Sequence, residues 1–246
     1  MTGETLRLDE RGEIATITLT RPERGNRIDT GLLRELEKVC NHLEDAPPGT
    51  LGRAVVLRAE GADFSLGIDF EAFDKSRPPD VHGFAKWEKS VVRFERLPLA
   101  TIAAVHGRVE GGGLQLALAC DLRIARRDAV FRLPEVHHGY LPGMSTFRLA
   151  KMIGLGRARR LILTAASVNA DEALAMGLVD AVVDDLDAGV NDALASLGPV
   201  HPVAVEMGRR LLLESFADDY EDAIGHFLAA QDRCIRQTEF LRNLKK

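Results

Sequence analysis

The sequence has no excess of positive charge. It carries 32 Lys and Arg against 37 Asp and Glu, a net charge of −5, which argues against nucleic acid or a membrane surface as the main partner. No apolar run approaches the roughly 20 residues needed to span a bilayer, and Met-Thr-Gly-Glu-Thr-Leu-Arg at the start has no apolar signal core. Cysteine is scarce: Cys40, Cys120 and Cys234 are far apart and form no metal-type spacing, so they read as reduced thiols of a cytoplasmic protein. There is no internal repeat and no low-complexity segment. What remains is ordinary for a globular chain of 246 residues, with 46% hydrophobic and 28% charged residues.

The stretch Val109–Ala119 organises the chain. Three consecutive glycines, Gly111-Gly112-Gly113, join a strand-like run to an apolar helix-like run. No Lys follows them, so this is not a phosphate-binding P-loop. Glycine permits a turn where a Cβ would clash, and the first N–H groups of the helix beyond it lack intrahelical partners. Two readings stay open: a turn that allows tight helix packing, or a turn that offers the Gly112 N–H to an oxygen gaining negative charge.

Around this stretch the pattern alternates strands and helices. Ile14–Thr20 alternates as a half-buried strand, with a strand through Leu6 and Leu8 before it and a turn at Glu10–Gly12. Thr30 is the expected cap of a helix to about Asp45, whose apolar face is Leu32, Leu33, Leu36, Val39, Cys40 and Leu43. Arg53–Ala59 and Thr101–Val105 read as buried strands, His82–Leu97 as a helix bearing Trp87, and Ser76–Asp80 as a proline-bearing lid. Asp121–Ala125 and Leu178–Val183 are further strands, and Asn169 caps Asp171–Met176. From Asp184 on, Asp187–Leu197, Pro202–Ser215 and Asp219–Leu241 are helical. The order predicts an α/β fold with parallel βαβ units in residues 1–183 and a helical region in residues 184–246.

Two strand-to-helix loops, Ser65–Asp69 and Glu110–Gly113, are expected at one edge of a parallel sheet, where ligands bind. Two backbone N–H groups there would make an oxyanion hole, commonly worth about 3 kcal/mol per donor in a transition state. Glu135, after Pro134, is the candidate acid/base; the alternative is a surface carboxylate at a strand end. Partial burial would raise its affinity for a proton. His137 and His138, on an extended chain, would point to opposite faces, and no further residue completes a metal set with them. Tyr140 is either a donor to substrate or a packed ring. Trp87, Phe84, Phe70 and Phe73 are candidate walls of an acyl channel or ordinary core.

Together these residues resemble the enoyl-CoA hydratase/isomerase (crotonase) superfamily over almost the whole chain. The resemblance is carried by Arg21-Pro22-Glu23 with Asn26, Gly61–Asp69, Ala103–Gly107, Gly111-Gly112-Gly113 with Ala117, Cys120–Ala125, Phe131 with Pro134-Glu135, Leu141-Pro142-Gly143 and Ala173–Val179. It implies a ββα spiral core with C-terminal helices at a trimer interface, in a homotrimer or dimer of trimers. It implies an acyl thioester substrate on coenzyme A or an acyl carrier protein, with no nicotinamide, flavin or metal. The oxyanion donors map to the N–H groups of Ile68 and Gly112, and Ile68-Asp69-Phe70-Glu71, with Leu66, lies along the thioester arm. Arg24 and Arg27 are candidate phosphate contacts, with solvated surface charge as the alternative.

Family hydratases carry two glutamates. One maps to Glu135; the other maps to Gln115, which cannot exchange a proton but can orient water or substrate. No Asp or Glu occurs in Leu141–Leu149, which disfavours dehalogenase-type and dienoyl-isomerase-type members. With one carboxylate visible, the leading expectation is double-bond isomerisation of an enoyl thioester. Hydration or dehydration, with Gln115 positioning water, is the alternative, and a non-catalytic module of the same fold is the third reading.

Overall fold

The computed structural model describes residues 1–47, 50, 52–72, 76, 81–198 and 200–243. The first strands form a hairpin, β1 (Leu6–Arg11) and β2 (Ile14–Leu19), and the turn falls at Gly12-Glu13, one to two residues later than the sequence suggests. Helix α1 (Thr30–Glu44) follows. Its cap is Asp29, whose carboxylate accepts the Leu32 N–H at 2.8 Å, so the expected cap Thr30 is instead the first helical residue. Leu32, Leu36, Val39, Cys40 and Leu43 form the buried face, while Leu33 is only half-buried.

Strand β3 (Ala54–Ala59), helix α2 (Val81–Glu95) and strand β4 (Ala100–Val105) come next. Short strand β5 (Arg108–Glu110) leads through Gly111 into α3 (Gly112–Leu118), then β6 (Leu122–Arg126) and β7 (Val130–Arg132). Helices α4 (Ser145–Met152) and α5 (Leu155–Thr164), strand β8 (Val168–Asn169), helix α6 (Ala170–Met176) and strand β9 (Ala181–Val183) complete the α/β part. Asn169 and Glu172 form a reciprocal capping box at the start of α6.

The strands make a six-stranded sheet in the order β1-β2-β3-β4-β6-β9, parallel except for the β1–β2 hairpin, and a three-stranded sheet β5-β7-β8. Strand alternation sorts the core into two layers. Val55, Leu57, Ala103 and Val105 face α1 and α2 side chains such as Leu36 and Phe94. Ala54, Val56, Ile102 and Ala104 point the other way and are covered by Val190, Ala193 and Leu194 of α7 (Leu186–Leu197). Strands buried on both faces read as near-continuous apolar runs, as Ile102–Val105 does.

Helices α8 (Pro202–Glu214), α9 (Tyr220–Ile235) and α10 (Thr238–Asn243) end the chain. The expected single helix Asp219–Leu241 is two helices, interrupted at Arg236-Gln237. Arg209 anchors α8: Nε donates to Asp121 at 2.7 Å and Nη2 to the Glu95 carbonyl at 2.8 Å. Leu212, Phe216, Tyr220, Phe227 and Leu228 are exposed on this region. Among the described residues no helix is long and apolar enough to cross a membrane. Of the expected lid 76–80 only Ser76 is among the described residues, and Phe73 lies outside them.

Candidate active site

The loop after β3 lies against the end of β5. Ser65 pairs with Val109: the Glu110 N–H donates to Ser65 O at 2.9 Å and the Ser65 N–H to Arg108 O at 3.2 Å. Ile68 pairs in parallel with Ile28, through Ile28 N–H to Gly67 O at 2.8 Å and Asp69 N–H to Ile28 O at 2.9 Å. In a parallel pair these bonds flank Ile68 and turn its own N–H to the other side. That N–H meets no acceptor among the described residues. The Ile68 carbonyl accepts from Arg27 Nη1 at 3.2 Å.

Gly67 brings the loop onto the glycine triplet. Its φ is +74°, and a Cβ there would sit 3.4 Å from Gly111 Cα and 3.5 Å from Gly112 N. Gly111 (φ 53°, ψ −124°) is the N-cap of α3 and donates its N–H to Arg132 O at 3.0 Å. Gly112 is the first residue of α3, and its N–H also lacks an acceptor among the described residues. Two unpaired backbone donors, from the Ile68 loop and the α3 N-terminus, therefore lie on adjoining stretches of chain.

Glu135 begins a 3-10 turn, Glu135–His138, directly after Pro134. It is only 2% exposed. Its Oε1 abuts Gly111, where a Cβ would be 2.6 Å away, and its Oε2 has no hydrogen-bond partner among the described residues. Burial pushes its carboxyl up to about 7; its own N–H opposes the shift and the charge of Glu110 adds to it. A buried carboxyl with an unsatisfied oxygen, set against the glycine cap of α3, costs stability, which makes Glu135 a candidate acid or base. His137 and His138 lie in the same 3-10 turn and are both exposed, so the extended-chain alternation expected for them does not apply. Among the described residues, the one grouping of metal-type ligands is Glu214, Asp218 and His226 of the C-terminal helices.

Gln115 sits one turn along α3, its N–H donating to Gly111 O at 3.0 Å. It is buried. Trp87 Nε1 donates to Gln115 Oε1 at 2.9 Å, and Gln115 Nε2 donates to Glu88 Oε2 at 2.6 Å. Glu88 Oε1 accepts the Met144 N–H at 3.0 Å. Sequence reasoning does not single out Glu88. The available signal is its helical spacing four residues beyond Phe84, beside buried Trp87, at the edge of the apolar stripe of α2.

Two cavities adjoin these groups. One of about 210 Å³ is lined by Ile28, Leu33, Ile68, Ala72, Phe84 and Trp87, which suits an apolar chain. The other, a cleft of about 510 Å³, is lined by Arg24, Arg27, Leu66, Phe70, Glu71 and Arg108. Arg24 and Arg27 thus reach the cleft, but part of each guanidinium is engaged. Arg24 holds Asp69 at 2.9 Å and Glu71 at 3.0 Å, and Arg27 holds the Leu66 and Ile68 carbonyls. Asp69, an expected contact, also lines both cavities. Its carboxylate is buried and taken by Arg24 and Arg21, so it braces the loop from within. Tyr140 packs edge-on to Phe70, with ring centroids 5.6 Å apart, and lies 6.2 Å from Phe84. Burial raises its phenol, and the Glu135 charge adds to this.

The family model for enoyl-CoA hydratase/isomerase matches residues 9–228. The chain is 31% identical over 250 residues to the short-chain-enoyl-CoA hydratase of Clostridium acetobutylicum, covering 97% of this chain and 95% of that one. It superposes on the crystal structure of an enoyl-CoA hydratase from Bacillus anthracis with a TM-score of 0.90 at 27% identity, covering 98% of this chain and 95% of the other. A Thermobifida fusca protein, solved in complex with CoA, aligns with a TM-score of 0.83 at 32% identity over 94% of this chain and 93% of its own. Matched in sequence over most of its length and in architecture over nearly all of it, this chain belongs to the enoyl-CoA hydratase/isomerase family.

Proposed function

We propose that the protein adds water to, or removes it from, the double bond of an enoyl thioester carried on coenzyme A. The observation that carries this is the buried Glu135 carboxyl, its Oε2 without a partner among the described residues, set against Gly111, which joins the Gly67–Ile68 loop to the unpaired N–H of Gly112. In the hydration direction the thioester oxygen accepts from both N–H groups. Glu135 takes a proton from water as the water oxygen bonds to C3. The C2=C3 electron pair moves toward the thioester carbon, and the oxygen gains the negative charge the two donors stabilise, at about 3 kcal/mol each. Glu135 then returns its proton to C2. One carboxyl group closes this cycle, with water added and no net proton gained.

The hydratase names of relatives support this direction, and the T. fusca complex supports CoA as the handle. The apolar cavity beside Trp87 and Phe84 is the proposed acyl site. The cleft of Arg24, Arg27, Leu66, Phe70 and Glu71 is the proposed path of the thioester arm, with Asp69 bracing it. The exposed apolar side chains of α8–α10 fit burial between copies in a trimer, which a molar-mass measurement tests.

Isomerisation leads the expectation from sequence because one carboxylate is visible there. That premise does not separate the two reactions, because the hydration cycle above also closes with Glu135 alone. Isomerisation stays as a second reading because, among the described residues, Glu135 holds the one buried carboxylate oxygen without a hydrogen-bond partner. Incubation with a 2-enoyl-CoA and a 3-enoyl-CoA separates the two by product mass. Gain of one water from the 2-enoyl substrate supports the proposal; a mass-neutral shift of the 3-enoyl substrate alone rejects it. Turnover of neither, with Glu135→Gln indistinguishable from wild type, leaves the non-catalytic reading.

A further inference from the structure

Glu88 has no part in the cycle above, yet two other segments of chain meet its carboxylate. From α2 it reaches Gln115 of α3 and the Met144 N–H before α4. Gly143 makes room: a Cβ there would lie 2.1 Å from Glu88 Oε1 and 3.1 Å from Gln115 Oε1. The polarity is unambiguous. An indole N–H only donates and an ionised carboxylate only accepts, so Gln115 must turn Oε1 to Trp87 and Nε2 to Glu88. The Glu88 contact, at 2.6 Å, is short and charge-assisted. The unit also adjoins the glycine N-terminus of α3, because the Trp87 ring lies 3.6 Å from where a Cβ of Gly112 would be.

We propose that Glu88 is a positioning residue that works through Gln115, an inference that rests on the hydration reading. By taking Nε2, Glu88 fixes Gln115 Oε1 as the amide's acceptor and draws electron density onto it. Trp87 uses one lone pair of Oε1. The other holds the second hydrogen of the attacking water while Glu135 takes the first. Both water hydrogens are then held by acceptors, and the oxygen lone pair is free to bond C3. Glu88 thus supplies negative charge to the water site through a hydrogen-bonded amide rather than by direct contact.

Exchanging the two side chains tests this. In Glu88→Gln, the new amide can satisfy either the Met144 N–H or Gln115 Nε2, and the other contact becomes donor against donor. In Gln115→Glu, two carboxylates meet where the 2.6 Å bond now lies, and one must hold a proton. In the double exchange every hydrogen bond returns. The carboxylate now at position 115 would accept from Trp87 and from the amide now at position 88, whose oxygen accepts the Met144 N–H.

The measurements are kcat, KM and pH profile for hydration of a 2-enoyl-CoA, with Tm for each variant. Glu88→Gln should lose roughly 10- to 100-fold in kcat with KM within about twofold, as expected when only transition-state alignment suffers. Gln115→Glu should add an inflection to the pH profile. The double exchange should recover kcat to within about threefold of wild type. Unchanged kcat in Glu88→Gln overturns the proposal. So does a loss matched by a fall in Tm and not recovered in the exchange, which marks a purely structural contact. A wild type that adds no water fails at the hydration reading itself and takes this inference with it.

Discussion

Glu135 and Gly111 share one contact: the carboxyl Oε1 lies where a side chain on the helix cap would have to begin, 2.6 Å from its Cβ. The glycine therefore serves two ends. It takes a backbone conformation, φ 53° and ψ −124°, that L side chains rarely adopt, and it leaves the space in which the acid rests beside the Gly112 N–H. Cap geometry and acid placement cannot be changed separately.

Gly111→Ala should accordingly damage both. The backbone strain costs of order 1–3 kcal/mol, and the methyl group pushes the Glu135 carboxyl off the α3 N-terminus. A displacement of that size near reacting atoms costs roughly 100-fold in rate. Denaturant unfolding and kcat on an enoyl-CoA read the two effects in one variant. A stable, fully active Gly111→Ala protein would contradict the placement of Glu135.

The titration of Glu135 makes stability depend on pH in a direction opposite to that of a salt-bridged carboxylate. Its carboxyl is raised from 4.5 to about 7 in the folded chain, chiefly by burial. The folded state thus binds the proton more tightly than the unfolded state. Below the unfolded value both states are protonated and the full stability is present. As pH rises through about 7 that stability is lost, by up to about 3 kcal/mol. Glu135→Gln, which stays neutral, should gain on wild type over this window and end more stable at pH 8.5. Urea unfolding of both proteins at pH 5 and pH 8.5 measures the difference. The same titration should make wild-type kcat/KM rise through an apparent pKa near 7, since the proposed hydration step begins with an ionised Glu135.

Much of the fold is legible because periodicity and burial coincide. The alternation expected over Ile14–Thr20, the buried strand expected over Thr101–Val105 and the cap Asn169 translate into β2 (Ile14–Leu19), β4 (Ala100–Val105) and α6. The misreadings occur where several local choices have similar energies. Asp29 and Thr30 are both good caps, and tertiary packing selects Asp29. Nothing in the composition of Asp219–Leu241 marks the break between α9 and α10. His137 and His138 look extended only until Pro134 and Gly139 are seen to bound a 3-10 turn. Glu135, Gly112 and the loop Ser65–Asp69 can be nominated because glycine and proline punctuate them, whereas Ile68 as the donor within that loop is what the family resemblance implies. Glu88 cannot be nominated, because it reads as one more charge on an amphipathic helix. Its significance arises from Gly143 and Gln115, 55 and 27 residues away in sequence.

Asp69 offers a test of the loop that carries Ile68. Its buried carboxylate joins Arg21 and Arg24 and also accepts the Glu71 N–H at 3.2 Å. Asp69→Asn keeps the shape but removes the charge, leaving Arg21, which is itself largely buried, with Asp29 as its one remaining carboxylate among the described residues. Breaking one side of such a pair typically costs 3–5 kcal/mol when fully buried; with Arg24 at 40% exposure, about 2 kcal/mol is expected. If the loop positions the Ile68 N–H for the thioester oxygen and lines the arm cleft as proposed, kcat should fall and KM should rise together. An effect on stability alone would separate the loop from the reaction.

Trp87 combines two functions that a pair of substitutions can divide. Its ring lines the 210 Å³ cavity, and its Nε1 donates to Gln115. Trp87→Phe keeps most of the ring and deletes the donor, so Oε1 of a buried amide loses a partner at a cost of about 1–3 kcal/mol. The amide then has one tether, Glu88, in place of two. Trp87→Ala deletes the donor and the wall together and should cost about 3–5 kcal/mol through the cavity it leaves. If the indole N–H orients Gln115, both variants lose kcat on a short enoyl-CoA to a similar extent, since the lost bond is the same. If the ring alone matters, Trp87→Phe stays close to wild type while Trp87→Ala shifts preference toward longer or branched acyl chains that fill the enlarged space. Comparing kcat/KM across an acyl-length series for the two variants therefore distinguishes orientation of the amide by the indole from definition of the pocket by the ring; the second outcome leaves Glu88 as the tether that fixes Gln115.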